Sequence, residues 1–196
     1  MHRRLLLAAL AALPARAIAQ PTPSAPIAAL LDGLRAGMKA GKATPFATRA
    51  AKLAPIIDAA FDLRAILATS VGPRYATFTA DQQAALFAAF RDFTIASWVA
   101  NFDADGGERF ELTAETRAIG ADQVVTTRIV PTTGDPTRLD FVMRTTPSGW
   151  RAIDILIDGT ISRTAVQRSD FRVLLKDGKP EPLTENLTAK AATLAN

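Results

Sequence analysis

The sequence predicts an α+β protein in which helices pack on one side of a curved, four-stranded antiparallel sheet. Three observations carry that expectation. Apolar side chains recur at helical spacing from residue 27 to about residue 100; from Arg109 they fall in short alternating runs separated by turn residues; helical spacing returns after Thr164.

The elements follow in order. Ile27, Leu30, Leu31, Leu34 and Met38 fall at offsets 0, 3, 4, 7 and 11, which is one face of a first helix. Thr44 and Pro45 read as N-cap and first position of a second, carrying Phe46, Ala50 and Leu53. Pro55 is expected to interrupt it, because proline lacks an N–H and clashes with the preceding turn. Asp62 caps a third helix carrying Leu63, Ile66, Leu67 and Val71, and Gly72-Pro73 stops it. Thr79 and Gln82 form a capping box that opens the longest helix, to about residue 100. Leu86, Phe87, Phe90, Phe93, Ile95 and Trp98 make this helix bulky. It reads as an ordinary core helix or as one whose rings wall a cavity.

Four strands are expected, at residues 109–114, 123–130, 138–144 and 150–157, with short connections at 120–122, 134–136 and 147–149. In the third, Leu139, Phe141 and Met143 alternate with Arg138, Asp140 and Arg144, giving one apolar and one wet face. In the fourth, Ile153, Ile155 and Ile157 share a face. Two helices close the chain, at about residues 164–176 and 183–194.

Arg3 and Arg4 precede an uninterrupted apolar run at residues 5–13, and Ala17, Ile18 and Ala19 supply a small-x-small pattern. Residues 1–19 therefore read as a signal peptide cleaved after Ala19, leaving residues 20–196 as a single exported domain. The run is well short of the ~20 residues that span a bilayer. Arg3, Arg4 and Arg16 are three of the 23 basic side chains, so cleavage leaves 20 against 19 acidic ones. A nearly neutral chain has no electrostatic footprint for nucleic acid.

Cleavage also removes the only histidine, His2, and the chain has no cysteine. Ordinary zinc sites, thiol nucleophiles and Ser-His-Asp arrangements are excluded, and no cofactor is expected. Asn101, Asp103, Asp105 and Gly106 resemble the start of a calcium loop, but Leu112 stands where a bidentate glutamate should close it, so a solvated loop is the reading. Asp154 and Asp158 share parity on the fourth strand, with Asp140 on its neighbour. These are the candidate general bases, if one is desolvated; otherwise they lie on the polar face or cap a turn. Arg163, Arg168 and Arg172 form either a salt-bridged surface or a face toward a lipid headgroup or partner protein.

Trp150, Arg151, Ala152, Ile153, Asp154 and Asp158-Gly159 through Ser162, followed by Gln167, Arg168, Ser169 and Phe171, resemble the signature of the MlaC family of periplasmic lipid-binding proteins, also called the toluene-tolerance auxiliary transport family. Phe61-Asp62-Leu63, Val71-Gly72-Pro73-Arg74 and the helix after Thr79 resemble a second block of it. The wording from Ile161 to Arg172, with Tyr75, Asn101, Phe102 and Asp103, is most similar to the hopanoid-associated branch known as HpnM.

That resemblance implies a cone-shaped fold like nuclear transport factor 2 (NTF2), with an apolar cavity between helices and sheet. It implies a carrier that shuttles a membrane lipid, without chemistry, between an inner-membrane ABC-transporter complex and/or an outer-membrane lipid-transfer partner. MlaC-type members usually have Tyr-Arg where this chain has Gln167-Arg168, so the lipid is read as phospholipid or hopanoid. The alternatives are an NTF2-like enzyme using Asp154 or Asp140 as a general base on a small hydrophobic substrate, and a pocketless adaptor. Periodicity and position single out Leu67, Val71, Phe87, Phe90, Ile129, Phe141, Met143, Trp150 and Ile155 as cavity lining or plain core.

Overall fold

The computed structural model describes residues 22–196, and the expected export signal at residues 1–19 lies outside them. Helices α1 (Ala25–Ala40), α2 (Phe46–Ala60) and α3 (Leu63–Val71) lead through a 3-10 turn (Pro73–Thr77) to α4 (Ala80–Asn101). Strands β1 (Arg109–Ile119), β2 (Asp122–Val130), β3 (Thr137–Thr146), β4 (Gly149–Ile157) and β5 (Ile161–Ser162) follow, then α5 (Arg163–Leu174) and α6 (Glu181–Ala195).

The sheet has five strands rather than four, in the order β1-β2-β3-β4-β5, each antiparallel to its neighbour. The additional strand pairs only Ile161 and Ser162 with Ile157 and Leu156. Two residues are too few to show a period, which is why sequence reading passes over it. Strand β1 also runs five residues beyond the expected end, continuing its pairing with β2 past a bulge between Leu112 and Thr116.

Pro55 lies inside α2 rather than ending it. Proline costs one backbone bond there, to the carbonyl of Ala51, and both residues are exposed, so water serves that carbonyl. The opposite face buries Leu53, Ile57 and Ala60 and holds the helix together across the defect. The end of α2 is pinned to the sheet: the Asp62 amide donates to the Ala152 carbonyl at 2.9 Å, and Arg151 donates to the Asp58 carbonyl.

Cross-strand partners point to the same side of a sheet. The inner face therefore carries Phe110 and Leu112, Val125, Thr127 and Ile129, Leu139, Phe141 and Met143, and Ala152, Ile155 and Ile157. The last three change parity because a bulge in β4 falls at Ile153: Met143 pairs with Ala152, whereas Phe141 pairs with Ile155. Ile155 and Ile157 thus share the expected face, and Ile153 occupies the bulge.

The outer face has its own buried charge. The Asp140 carboxylate is fully buried, accepts from Thr126 Oγ1 at 2.8 Å and takes a two-pronged bond from Arg138 at 2.9 and 2.7 Å. At the other end, Arg144 grips Asp122 the same way, at 2.9 and 2.7 Å, and that bond holds the Asp122 carboxyl below its ordinary pKa.

Candidate functional site

Helix α4 begins at the expected capping box: Thr79 Oγ1 accepts from the Gln82 amide at 3.2 Å, and Gln82 Oε1 accepts from the Thr79 amide at 3.0 Å. Its apolar side chains are distributed all round because it is a shared wall. Helix α6 packs along one side through Leu183 and Leu187, both fully buried. The other side faces a void. Phe90, Phe93, Thr94, Ser97, Trp98 and Asn101, at offsets 0, 3, 4, 7, 8 and 11, form one helical face along a cavity of about 480 Å³. That volume is in the range of small-molecule sites.

The opposite wall is the Leu139 end of the sheet, with Thr137 and Leu139 from β3 and Ile155 and Ile157 from β4. Phe61, Leu63 and Ile66 close one side, and Arg163, Thr164 and Gln167, in the first turns of α5, supply the polar end. Room is left by two small side chains among large ones. Thr94 and Ser97 donate their hydroxyls back to the carbonyls of Phe90 and Phe93, both at 2.8 Å, so neither polar hydrogen is turned into the cavity.

A row of rings runs from the core past the void, with Phe61, Trp98 and Phe102 on its wall. Phe141, Phe61, Trp98, Phe102 and Phe110 follow one another with centroids 6.1, 5.7, 5.6 and 5.7 Å apart. Beyond Phe141 the core is solid. Phe141 and Met143 are fully buried, as is Leu67, and Val71 is buried with them.

Of the residues singled out from sequence, Phe90 and Ile155 lie on the cavity wall. Leu67, Val71, Phe141 and Met143 lie in the solid core, and Ile129 and Trp150 are half-buried against it. Phe87 points elsewhere, under the Arg64 guanidinium, 3.9 Å from its ring centroid. Phe93 and Trp98, read as rings that wall a cavity or fill a core, and Arg163, read as a surface or headgroup residue, also lie on the wall, whereas Phe61, Leu63, Ile66, Thr94, Ser97, Asn101, Phe102, Thr137, Leu139, Asp154, Ile157, Thr164 and Gln167 were not singled out as lining. Thr94 and Ser97, small hydroxyl residues on an aromatic helix face, are the signal that marked it.

Asp154 is the one carboxylate on the wall, and its oxygens are engaged. Oδ1 accepts from the Ile155 and Thr164 amides at 2.8 and 3.0 Å, and Oδ2 accepts from Ser162 Oγ at 2.5 Å. Ser162 Oγ accepts in turn from the Ala165 amide at 2.9 Å, so the pair caps the start of α5. Asp140 lies on the outer face, away from the cavity, under Arg138. Gln167 accepts from Ser70 Oγ at 3.2 Å, tying α5 to α3. In the acidic loop, Asp103 pairs with Lys42 at 3.2 Å and Asp105 accepts from the Gly107 amide.

This arrangement of helices and sheet is a known one. The chain is similar in structure to the phospholipid-binding protein from Ralstonia solanacearum, solved in complex with a phospholipid. The TM-score is 0.75 at 20% sequence identity, over 90% of this chain and 100% of that one. Residues 28–189 match the family described as MlaC protein, and the chain belongs to that family. A comparison with the curated proteins finds no match.

Proposed function

We propose that this protein is an exported lipid carrier, which holds the apolar part of a membrane lipid in the cavity between α4 and the Leu139 end of the sheet. The observation that carries this reading is the cavity's wall, which is mostly aromatic and aliphatic, with its two charged residues, Asp154 and Arg163, at the α5 end beside Gln167. An acyl chain or a polycyclic hydrocarbon gains by leaving water for such a wall, while a polar head stays with Arg163 and Gln167. Membership of the MlaC family and the phospholipid bound by the R. solanacearum protein support lipid as the ligand class. The engagement of Asp154 in capping α5 favours a carrier over an enzyme with that residue as base.

The lipid is a phospholipid or a hopanoid, taken up in the periplasm after cleavage behind Ala19. It is exchanged with an inner-membrane ABC-transporter complex, an outer-membrane transfer partner, or both. Native mass spectrometry of protein purified from its own cell envelope tests the reading. The expected spectrum shows a polypeptide beginning at Gln20 with a lipid in defined stoichiometry, identified after solvent extraction. Protein that repeatedly emerges empty would sink it.

A further inference from the structure

The described residues expose four large apolar side chains, and three of them lie close together in sequence: Ile161 at 52%, Val166 at 40% and Val173 at 60%. Val166 and Val173 are two helical turns apart on α5, on the side opposite the buried Thr164 and Phe171, of which Thr164 donates to the Ile153 carbonyl and Phe171 packs edge-on against Phe90. This outward line includes the exposed Asp170, one turn from each valine, but the segment around it is cationic overall. Residues 161–179 contain Arg163, Arg168, Arg172, Lys176 and Lys179 against only Asp170 and Asp177, in a chain that is otherwise nearly neutral past residue 19.

The cations are also unspent. Arg91, Arg138 and Arg144 are each held by a carboxylate, whereas among the described residues none of these five takes part in an ion pair. Arg168 lies against Gly72 and belongs to the α3 contact. Arg163, Arg172 and Lys176 are exposed beside the valines. The same helix supplies Arg163, Thr164 and Gln167 to the cavity.

We propose that β5 and α5 form a docking surface for an anionic lipid bilayer. Ile161, Val166 and Val173 enter the headgroup layer and the flanking cations meet lipid phosphates, which sets the α5 end of the cavity against the membrane. Exposed aliphatic side chains in a segment whose five cations outnumber its two carboxylates, Asp170 and Asp177, suit a fluid, negatively charged interface. A protein interface centres instead on aromatic anchors in packed pockets, and this surface presents none.

Flotation with vesicles of phosphatidylcholine, alone or with about one-third phosphatidylglycerol, tests the proposal independently of cavity loading. The expected result is binding to the anionic vesicles only, weakened by salt. Arg172→Glu with Lys176→Glu is expected to weaken binding by more than tenfold, at about fivefold for each charge removed. Val166→Ser with Val173→Ser is expected to weaken it several-fold. Circular dichroism and lipid content by native mass spectrometry stay unchanged in both, so an empty cavity counts against the carrier reading and not against this one. Equal flotation with neutral and anionic vesicles, or variants that float like the parent, would overturn the proposal. So would variants that slow lipid transfer while the parent ignores vesicles, a result that would point to an acidic protein partner.

Discussion

The two ends of the sheet's inner face are built from the same kinds of residue and do opposite things. At the Met143 end, Phe141, Met143 and Ala152 are fully buried, and Leu67 lies buried in the same core. At the Leu139 end, Leu139, Ile155 and Ile157 look across a cavity at Phe90, Phe93 and Trp98. Hydrophobicity does not separate the two ends. What differs is what stands opposite: large side chains and the pinned end of α2 in one case, and a helix face relieved by Thr94 and Ser97 in the other. An apolar wall borders a cavity where the opposing element is held off and carries small side chains.

That contrast can be broken most strongly at its closed end. Phe141→Ala is expected to cost about 3–5 kcal/mol, because a fully buried ring leaves a void its neighbours cannot fill. Thermal denaturation should show a midpoint lower by about 10 °C. Lipid bound per folded molecule should be retained, and its loss in step with stability would show that the ends are not separate.

The reverse experiment fills the open end. Ser97→Phe adds a ring where there is space, so stability should fall by less than the roughly 1–3 kcal/mol that overpacking a filled core costs, while bound lipid falls sharply in native mass spectra. A filled protein that still carries a full complement of lipid would place the ligand elsewhere.

A smaller effect is expected at the rim. Asp154→Ala removes the acceptor for the Thr164 amide and for Ser162 Oγ, and losing a helix cap costs about 1 kcal/mol. Hydrogen exchange should quicken at the start of α5 more than in α4.

The smallest effect lies at the edge of the closed end. Asp122, its pKa lowered by Arg144, contributes stability that is fully present above the ordinary carboxylate range. That contribution is lost as pH falls through the lowered value. Arg144→Ala should remove it, flattening the acid limb of the stability curve by under about 1 kcal/mol, since Arg144 is half exposed.

The sequence conveyed the order of helices and strands well, because helical and alternating periods and the caps at Asp62 and Thr79 are local properties. It conveyed the cavity poorly. Of the nine candidate residues, Phe90 and Ile155 lie on the wall and Leu67, Val71, Phe141 and Met143 lie in solid core. A leucine beside a lipid chain and a leucine beside another leucine ask for the same surroundings. The polar part of the wall was even less visible. Asp154 reads as one of two same-parity carboxylates, and only the return of the chain through β5 brings Ser162 and Thr164 onto it.

What the sequence determined by itself was the class of architecture, the near-neutral charge past residue 19, and the absence there of imidazole and thiol. These depend on composition and on short-range spacing. The tertiary structure decided three things that spacing cannot. Pro55 is carried through α2 because Leu53, Ile57 and Ala60 are buried on its far side. The bulge at Ile153 transfers the inner face of β4 from Ala152 to Ile155 and Ile157. The cavity exists because α4, α5 and the Leu139 end of the sheet meet without filling the space between them. Each is a matter of what lies opposite a residue, and that is set by packing between segments far apart in the chain.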